Sequence, residues 1–303
     1  MTPLGSGEID HDFIMNITAS ETNGSNIAAY AIDTVTENGL TTNNMNTYWQ
    51  STSAQAADSA ELLIEFDRDM NSLSTALWAG GYRSIRSALN QKLTGYYESL
   101  QDFPGGSVES YLKICAEEVT ESPEKCPSLL TAARVRLYSH KVLSAGGMTI
   151  EAVTTGGVEK TACRASSPAL YREEDEHFFP VGTINMMIIA SGFLPEGVMA
   201  RALITLTEGK SAALQDLGIA DVNNGLPATG TCTDGITLIC DPEGKKYTDA
   251  GSFSLLGSLL SKAAYESVRD CIETYDHPWN ASSLLRTPPA QDIDRLRKLS
   301  EKS

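Results

Sequence analysis

The 303-residue chain has 23 Lys and Arg against 39 Asp and Glu, a formal charge of −16 at pH 7, and 41% apolar residues. That length buries a substantial core in one large or two modest domains. The acidic excess argues against a nucleic-acid partner and is read first as a solubility feature. No apolar run is long enough to cross a bilayer, and the first residues lack the basic and apolar regions of a secretory signal, so a soluble, cytoplasmic protein is expected.

Residues 1–58 are rich in Asn, Thr, Ser and Ala and read as a partly disordered extension. The aromatics of Asn46-Thr47-Tyr48-Trp49-Gln50 anchor it to the body. The domain proper is expected over 59–275. Glu61 to Phe66 predicts a strand, and Leu73 to Leu77 a second, ended by Gly80-Gly81. The stretch from Ile85 to Leu93 reads as helical. Ser107 caps a helix running through Val119. A loop holding Pro123 and Pro127 leads to a short helix near Leu129 to Val135. Val142 to Thr155 predicts strands around Gly146-Gly147. Arg172 to His177 is an acidic surface loop.

The most regular stretch follows. A strand over 184–190 is succeeded by a turn at Gly192, a helix from Pro195, and a stop at Gly218, with Pro at the start and Gly past the end. A strand over 236–240 and a helix over about 252–274 complete the domain. The tail, 276–303, is polar. Strand, helix, strand at this spacing predicts a parallel pair. Doubly wound sheets bind ligands beyond the carboxyl ends of their strands, whereas the polar clusters here precede theirs. The expected class is therefore α+β: mixed sheet flanked by helices, in its layered form an α-β-β-α sandwich.

Those polar clusters carry the functional reading. Gly182-Thr183-Ile184-Asn185 and Ala228-Thr229-Gly230-Thr231-Cys232-Thr233-Asp234-Gly235 each lead straight into a buried apolar run. Glycine lets backbone approach a ligand closely, and the hydroxyl, carboxamide and carboxylate groups donate and accept around it. Taken alone, Asp234-Gly235 is a tight turn and Thr183 a strand-edge residue. Together they supply a hydroxyl, a carboxylate and glycine-flanked amides, the parts needed to attack an amide and hold its oxyanion. No Gly-x-Ser-x-Gly or Ser-x-x-Lys signature is present, so the pattern does not say whether a hydroxyl or a water attacks. Lys210 falls on the buried stripe of helix 195–217 with Met199, Leu203, Leu206, Ala213 and Leu217. It must snorkel, pair with a carboxylate, or be destabilised. Glu208 is two residues away and on another face, so it is not the intrahelical partner. Gly209 between them marks close packing against a neighbour. Six scattered Cys without Cys-x-x-Cys point to reduced thiols, and four His without ligand spacing point away from a protein-held metal or other cofactor.

From about Leu62 to Cys271 the chain resembles the adenosylcobinamide amidohydrolase family, which remodels corrinoids in cobamide salvage. The match is carried by Phe179 to Asn185, by Arg201 to Asp216, and by Ala228 to Asp234 as Ala-Thr-Gly-Thr-x-Thr-Asp. Upstream it is carried by Leu73 to Ala76 with Gly80-Gly81 and Ala88-Leu89-Asn90, and by Thr131-Ala132-Ala133. It departs at Thr161, where the family carries Asn before the alanine, and at Lys160, where a small residue is common.

The resemblance implies hydrolysis of the amide joining the corrin ring side chain to aminopropanol, giving adenosylcobyric acid. The substrate brings its own cobalt, with no nucleic-acid partner and no membrane span. Expected roles are Asp234 as base or orienter, Thr183 or Thr231 as hydroxyl partner, and Asn185 with backbone amides around the oxyanion. Lys210 and Glu208 organise the surroundings. Gly182, Thr229, Gly230, Thr233, Gly80, Gly81 and Asn90 are expected to line the substrate site. A bolder form frees Thr183 as an amino-terminal nucleophile. A corrinoid binder without hydrolysis, or an amidase on another substrate, are the alternatives.

Overall fold

The computed structural model describes residues 47–50, 61–95, 97, 99–168 and 182–275. The acidic loop at Arg172 to His177, the matched Phe179 to Val181 and the tail lie outside them, as does the extension apart from Thr47–Gln50. That short piece, β1, pairs antiparallel with β2 (Glu61–Ser74). The two strands expected at 61–66 and 73–77 are thus one long strand, whose register against β3 (Gly81–Lys92) shifts between Glu65 and Met70.

The helix expected over 85–93 is part of β3. Ile85, Ala88 and Leu89 have helical spacing, but β3 is paired on both sides and buries residues on both faces, so tertiary pairing overrides the local pattern. For the same reason the helix expected near Leu129 is instead β4 (Ser128–Thr131), parallel to β3, followed by a 3-10 turn at Val135–Leu137. Helix α1 (Val108–Val119) begins as expected: the Ser107 hydroxyl accepts the Ser110 amide at 3.1 Å.

Strands β5 (Ser139–Ala145) and β6 (Met148–Gly156) form the anticipated hairpin. Gly146 and Gly147 both sit at positive φ, 57° and 78°, as a two-residue turn of this twist requires. A two-residue ribbon pairs β7 (Ala162–Cys163) with β9 (Gly230–Thr231). Strands β8 (Ile184–Ala190) and β10 (Gly235–Cys240) are parallel, connected through α2 (Glu196–Asp216). The closing helix is α3 (Leu255–Tyr275). The main sheet runs β4-β3-β2-β10-β8-β6-β5.

Side-chain alternation stacks these strands into layers. Ile184, Met186 and Ile188 of β8, with Leu238 and Cys240 of β10, pack under Met199, Leu206, Leu260 and Val268 of the paired helices α2 and α3. The opposite face presents Met187, Ile189 and Ile239, which meet Leu62, Ile64, Phe66, Met70 and Ile85 of the β2–β3 hairpin. The sheet therefore folds back on itself along β2. The outer face of the hairpin, with Leu63 and Leu89, is covered by Tyr111, Leu112 and Ala116 of α1. The architecture is α+β in α-β-β-α layers. Strand β8 is buried at every residue because both its faces are covered, so apart from Asn185 it reads in sequence as a continuous apolar run.

Gly209 fixes the α2–α3 approach. A Cβ there would meet the Ser261 backbone oxygen of α3 at 2.4 Å. An exposed Gly→Ala change in a helix interior gains about 1 kcal/mol. Gly209→Ala is expected instead to lose about 1–3 kcal/mol by overpacking, read as a lower midpoint in urea unfolding. A raised midpoint would mean that the helices do not meet there.

Candidate active site

The parallel register of β8 and β10 aligns Asn185 with Gly235, so the residues just before the two strands become neighbours. The Ile184 amide donates to Asp234 Oδ1 at 3.0 Å. The Thr183 hydroxyl donates to the Thr233 carbonyl at 2.6 Å and accepts from the Thr233 hydroxyl at 2.9 Å. Both polar clusters thus close on one another across fifty positions of sequence. Thr183 is 1% exposed.

Asp234 is the hub. Besides Ile184, it accepts from the Thr231 hydroxyl at 2.5 Å and the Thr231 amide at 3.0 Å. Lys210 reaches down from α2 and its ammonium pairs with Asp234 Oδ2, the two side chains being 8% and 13% exposed. Of the three fates open to a lysine on that stripe, the structure selects pairing. Four donors converge on one carboxylate, an arrangement of charge-assisted bonds that holds it in a single orientation. Gly230 makes room for it: a Cβ there would lie 2.3 Å from Asp234 Oδ2 and 2.6 Å from Lys210 Nζ.

A second wall comes from residues 157–165. Thr161 Oγ1 donates to the Gly182 carbonyl at 2.8 Å, and the Gly157 amide donates to the Thr183 carbonyl at 3.1 Å. Gly182 is seated so closely that a Cβ would meet the Gly157 oxygen at 2.2 Å. Thr161, the position at which the resemblance departs, therefore holds the peptide next to Thr183. Nothing in the residue pattern around it singled it out for that contact. Thr229 fastens this wall to α2: its hydroxyl accepts the Ala165 amide at 2.9 Å and its carbonyl accepts Ser211 Oγ at 3.0 Å. Cys163, half-buried beside these groups, has its thiol pushed above the ordinary range, first by burial and then by the carboxylates of Asp234 and Asp221. That environment disfavours a thiolate nucleophile.

Three expected contributors stand elsewhere. Asn185 is 1% exposed, and both hydrogens of its carboxamide are used internally, on Asn90 Oδ1 at 2.8 Å and the Leu130 carbonyl at 2.9 Å. Asn90 in turn donates to Thr155 Oγ1 at 2.8 Å. Because Asn185 alternates onto the face between the two sheet layers, it ties β8 to β3 and β4 and has no hydrogen left for an oxyanion. Asn90 is likewise an interior strut. Glu208 lies on the exposed side of α2 and accepts from Ser252 Oγ at 3.1 Å, away from Lys210, as its two-residue offset dictates. Gly80 and Gly81 close the loop between β2 and β3. That loop starts beside the site, since the Thr75 hydroxyl accepts the Ile236 amide at 2.9 Å and the Ile236 carbonyl accepts the Thr75 amide at the same distance.

Residues 45–278, from just before β1 to just past α3, match the family model for adenosylcobinamide amidohydrolase. The chain belongs to the adenosylcobinamide amidohydrolase family. An uncharacterised protein of Methanocaldococcus jannaschii is 26% identical over 230 residues, covering 71% of this chain and 86% of that one. An adenosylcobinamide amidohydrolase of Halobacterium salinarum is 26% identical over 153 residues, covering 50% of this chain and 61% of its own length. Among solved structures, a protein of Pyrococcus horikoshii OT3 is similar over 80% of this chain and 85% of its own, at 12% identity and a TM-score of 0.39. No helix among the described residues is long and apolar enough to cross a membrane.

The Lys210–Asp234 pair gives a stability test. Lys210→Met strands the largely buried Asp234 carboxylate and is expected to cost about 3 kcal/mol in urea unfolding. Adding Asp234→Asn removes the stranded charge and should recover part of that loss. Strictly additive losses would mean that the two side chains do not meet in solution.

Proposed function

We propose that this chain hydrolyses the amide between the corrin ring side chain and the aminopropanol arm of adenosylcobinamide, releasing aminopropanol and adenosylcobyric acid. The observation that carries the reading is the meeting of Thr183 with the Thr231–Thr233–Asp234 loop, in a member of this family. Cobalt enters as part of the substrate.

In this proposal the Thr183 oxygen attacks the amide carbonyl carbon, aminopropanol leaves as the C–N bond breaks, and water cleaves the resulting ester. Asp234 orients the loop carrying Thr231 and Thr233, and so holds the hydroxyl of Thr183 through Thr233. Lys210 is the positive charge beside the reacting carbonyl, where negative charge develops. The β2–β3 loop supplies an apolar rim: Leu77 is 65% exposed, two residues from the Thr75 contact with β10, and suits the face of a large ring. The acidic surface is compatible with a corrinoid's cationic centre.

The test is to incubate the purified chain with adenosylcobinamide and follow aminopropanol and adenosylcobyric acid by mass spectrometry. Release of both products is expected. Tight binding without product would make the chain a corrinoid binder, and neither binding nor product would leave an amidase for another substrate. Asp234→Asn is expected to lower turnover by about 10²–10³-fold through misplacement of Thr183, measured where circular dichroism shows the variant folded, since it also leaves Lys210 unpaired. Near-normal turnover would remove Asp234 from the mechanism.

A further inference from the structure

Among the described residues, the Thr183 hydroxyl has the wrong partners for a nucleophile. Its proton points at a peptide carbonyl, that of Thr233, and the group donating back to it is another hydroxyl. Neither takes up a proton at neutral pH. The carboxylate of this cluster, Asp234, is already engaged by Lys210, Thr231 and the Ile184 amide. For repeated turnover, the reading of Thr183 as the attacking group therefore lacks a base in the intact chain.

The peptide bond just before Thr183 is, by contrast, set up to be attacked. Its carbonyl oxygen accepts the Thr161 hydroxyl at 2.8 Å, the distance expected of an oxyanion donor. Gly182 is wedged against the Gly157 oxygen on one side, while the Gly157 amide pins the Thr183 carbonyl on the other. The bond is thus immobilised from both ends, and the hydroxyl that would attack it belongs to the adjoining residue, so no diffusion is needed. Asp234 accepts the Ile184 amide, one residue beyond the Thr183 nitrogen, which places a carboxylate next to any ammonium formed there.

We propose that the chain cuts itself between Gly182 and Thr183, and that the α-amine so freed on Thr183 is the base for its own hydroxyl. The Thr183 oxygen adds to the Gly182 carbonyl carbon while the C–N bond breaks, and the hydroxyl proton passes to the departing nitrogen of the same residue; this happens once per chain, so it tolerates a slow, unassisted proton transfer that repeated turnover does not. An ester joins the two segments. Water then cleaves that ester, leaving a Gly182 carboxylate and a free Thr183 with both amine and hydroxyl. One water is consumed and no oxidant or co-reactant is needed. An α-amine titrates at about 7.7–8.0, so at neutral pH it exchanges protons readily where a carbonyl or hydroxyl does not. The cut supplies the missing base, an arrangement known for threonine nucleophiles in general. The inference rests on Thr183 being the reactive hydroxyl of the proposed amidase.

The test is intact-mass measurement of the purified full chain, without substrate, after incubation at neutral pH. Expected are two fragments, 1–182 and 183–303, whose masses sum to that of the chain plus one water, with Thr183 as the new amino terminus. Thr183→Ala should stay whole, Thr183→Ser should still cut, and Thr161→Val should cut at least tenfold more slowly. A chain that remains uncut overturns the proposal. So does a Thr183→Ala variant that yields the same fragments, since an outside protease would then be responsible. Uncut protein that releases aminopropanol sinks self-cleavage but keeps the amidase. Cut protein that releases none keeps self-cleavage and sinks the amidase.

Discussion

A single carboxylate ties together three parts of the fold. Asp234 stands at the head of β10, accepts an amide from the head of β8, folds its own loop back through Thr231, and receives the ammonium of Lys210 from the middle of α2. Each partner arrives from a different element, and each is nearly buried. Removing a charge from such a cluster leaves its counterpart without solvent or partner, which is why the cluster behaves as one unit. The position of Thr183 depends on it, because the Thr233 groups that hold the Thr183 hydroxyl sit on the loop that Asp234 closes.

That cluster exists because of the layering beneath it. β8 and β10 lie side by side in parallel, buried between α2–α3 on one face and the folded-back β2–β3 hairpin on the other. Parallel alignment brings the loops before both strands to the same edge of the sheet. The interior answers with a second polar group, Asn185 bridging to Asn90 and Leu130, which locks the hairpin layer to the head of β8. The interior strut and the Asp234 cluster thus meet at the head of β8: Asn185 turns inward, the Ile184 amide donates to Asp234, and the Thr183 hydroxyl is held by Thr233.

The region from β8 to β10 was legible in the sequence because its signals are local. Pro195 opens α2, Gly218 follows its end, and each strand is an apolar run with one polar residue, Asn185 or Thr237. Lys210 stood out as the one charge on an apolar stripe, and Gly209 as the point of helix contact. β3 and β4 were misread because Ile85, Ala88 and Leu89 have helical spacing, while the pairing that makes them strands comes from distant segments. The roles of Asn185 and Thr161 were not legible for a related reason. Residue type showed that each hydrogen-bonds, but only the tertiary arrangement shows with what. Asn185 faces the inter-sheet core by strand alternation, and Thr161 reaches Gly182 only because the β7–β9 ribbon folds across the site.

The most direct measurement is a crystal structure of the unaltered chain with adenosylcobinamide, trapped by cooling before turnover. The carbonyl carbon of the aminopropanol amide should lie about 3–3.5 Å from Thr183 Oγ1, with the ring against the β2–β3 loop. A corrinoid seated on another face of the molecule, with Thr183 still sealed beneath protein, would contradict the assignment of this edge of the sheet as the active site.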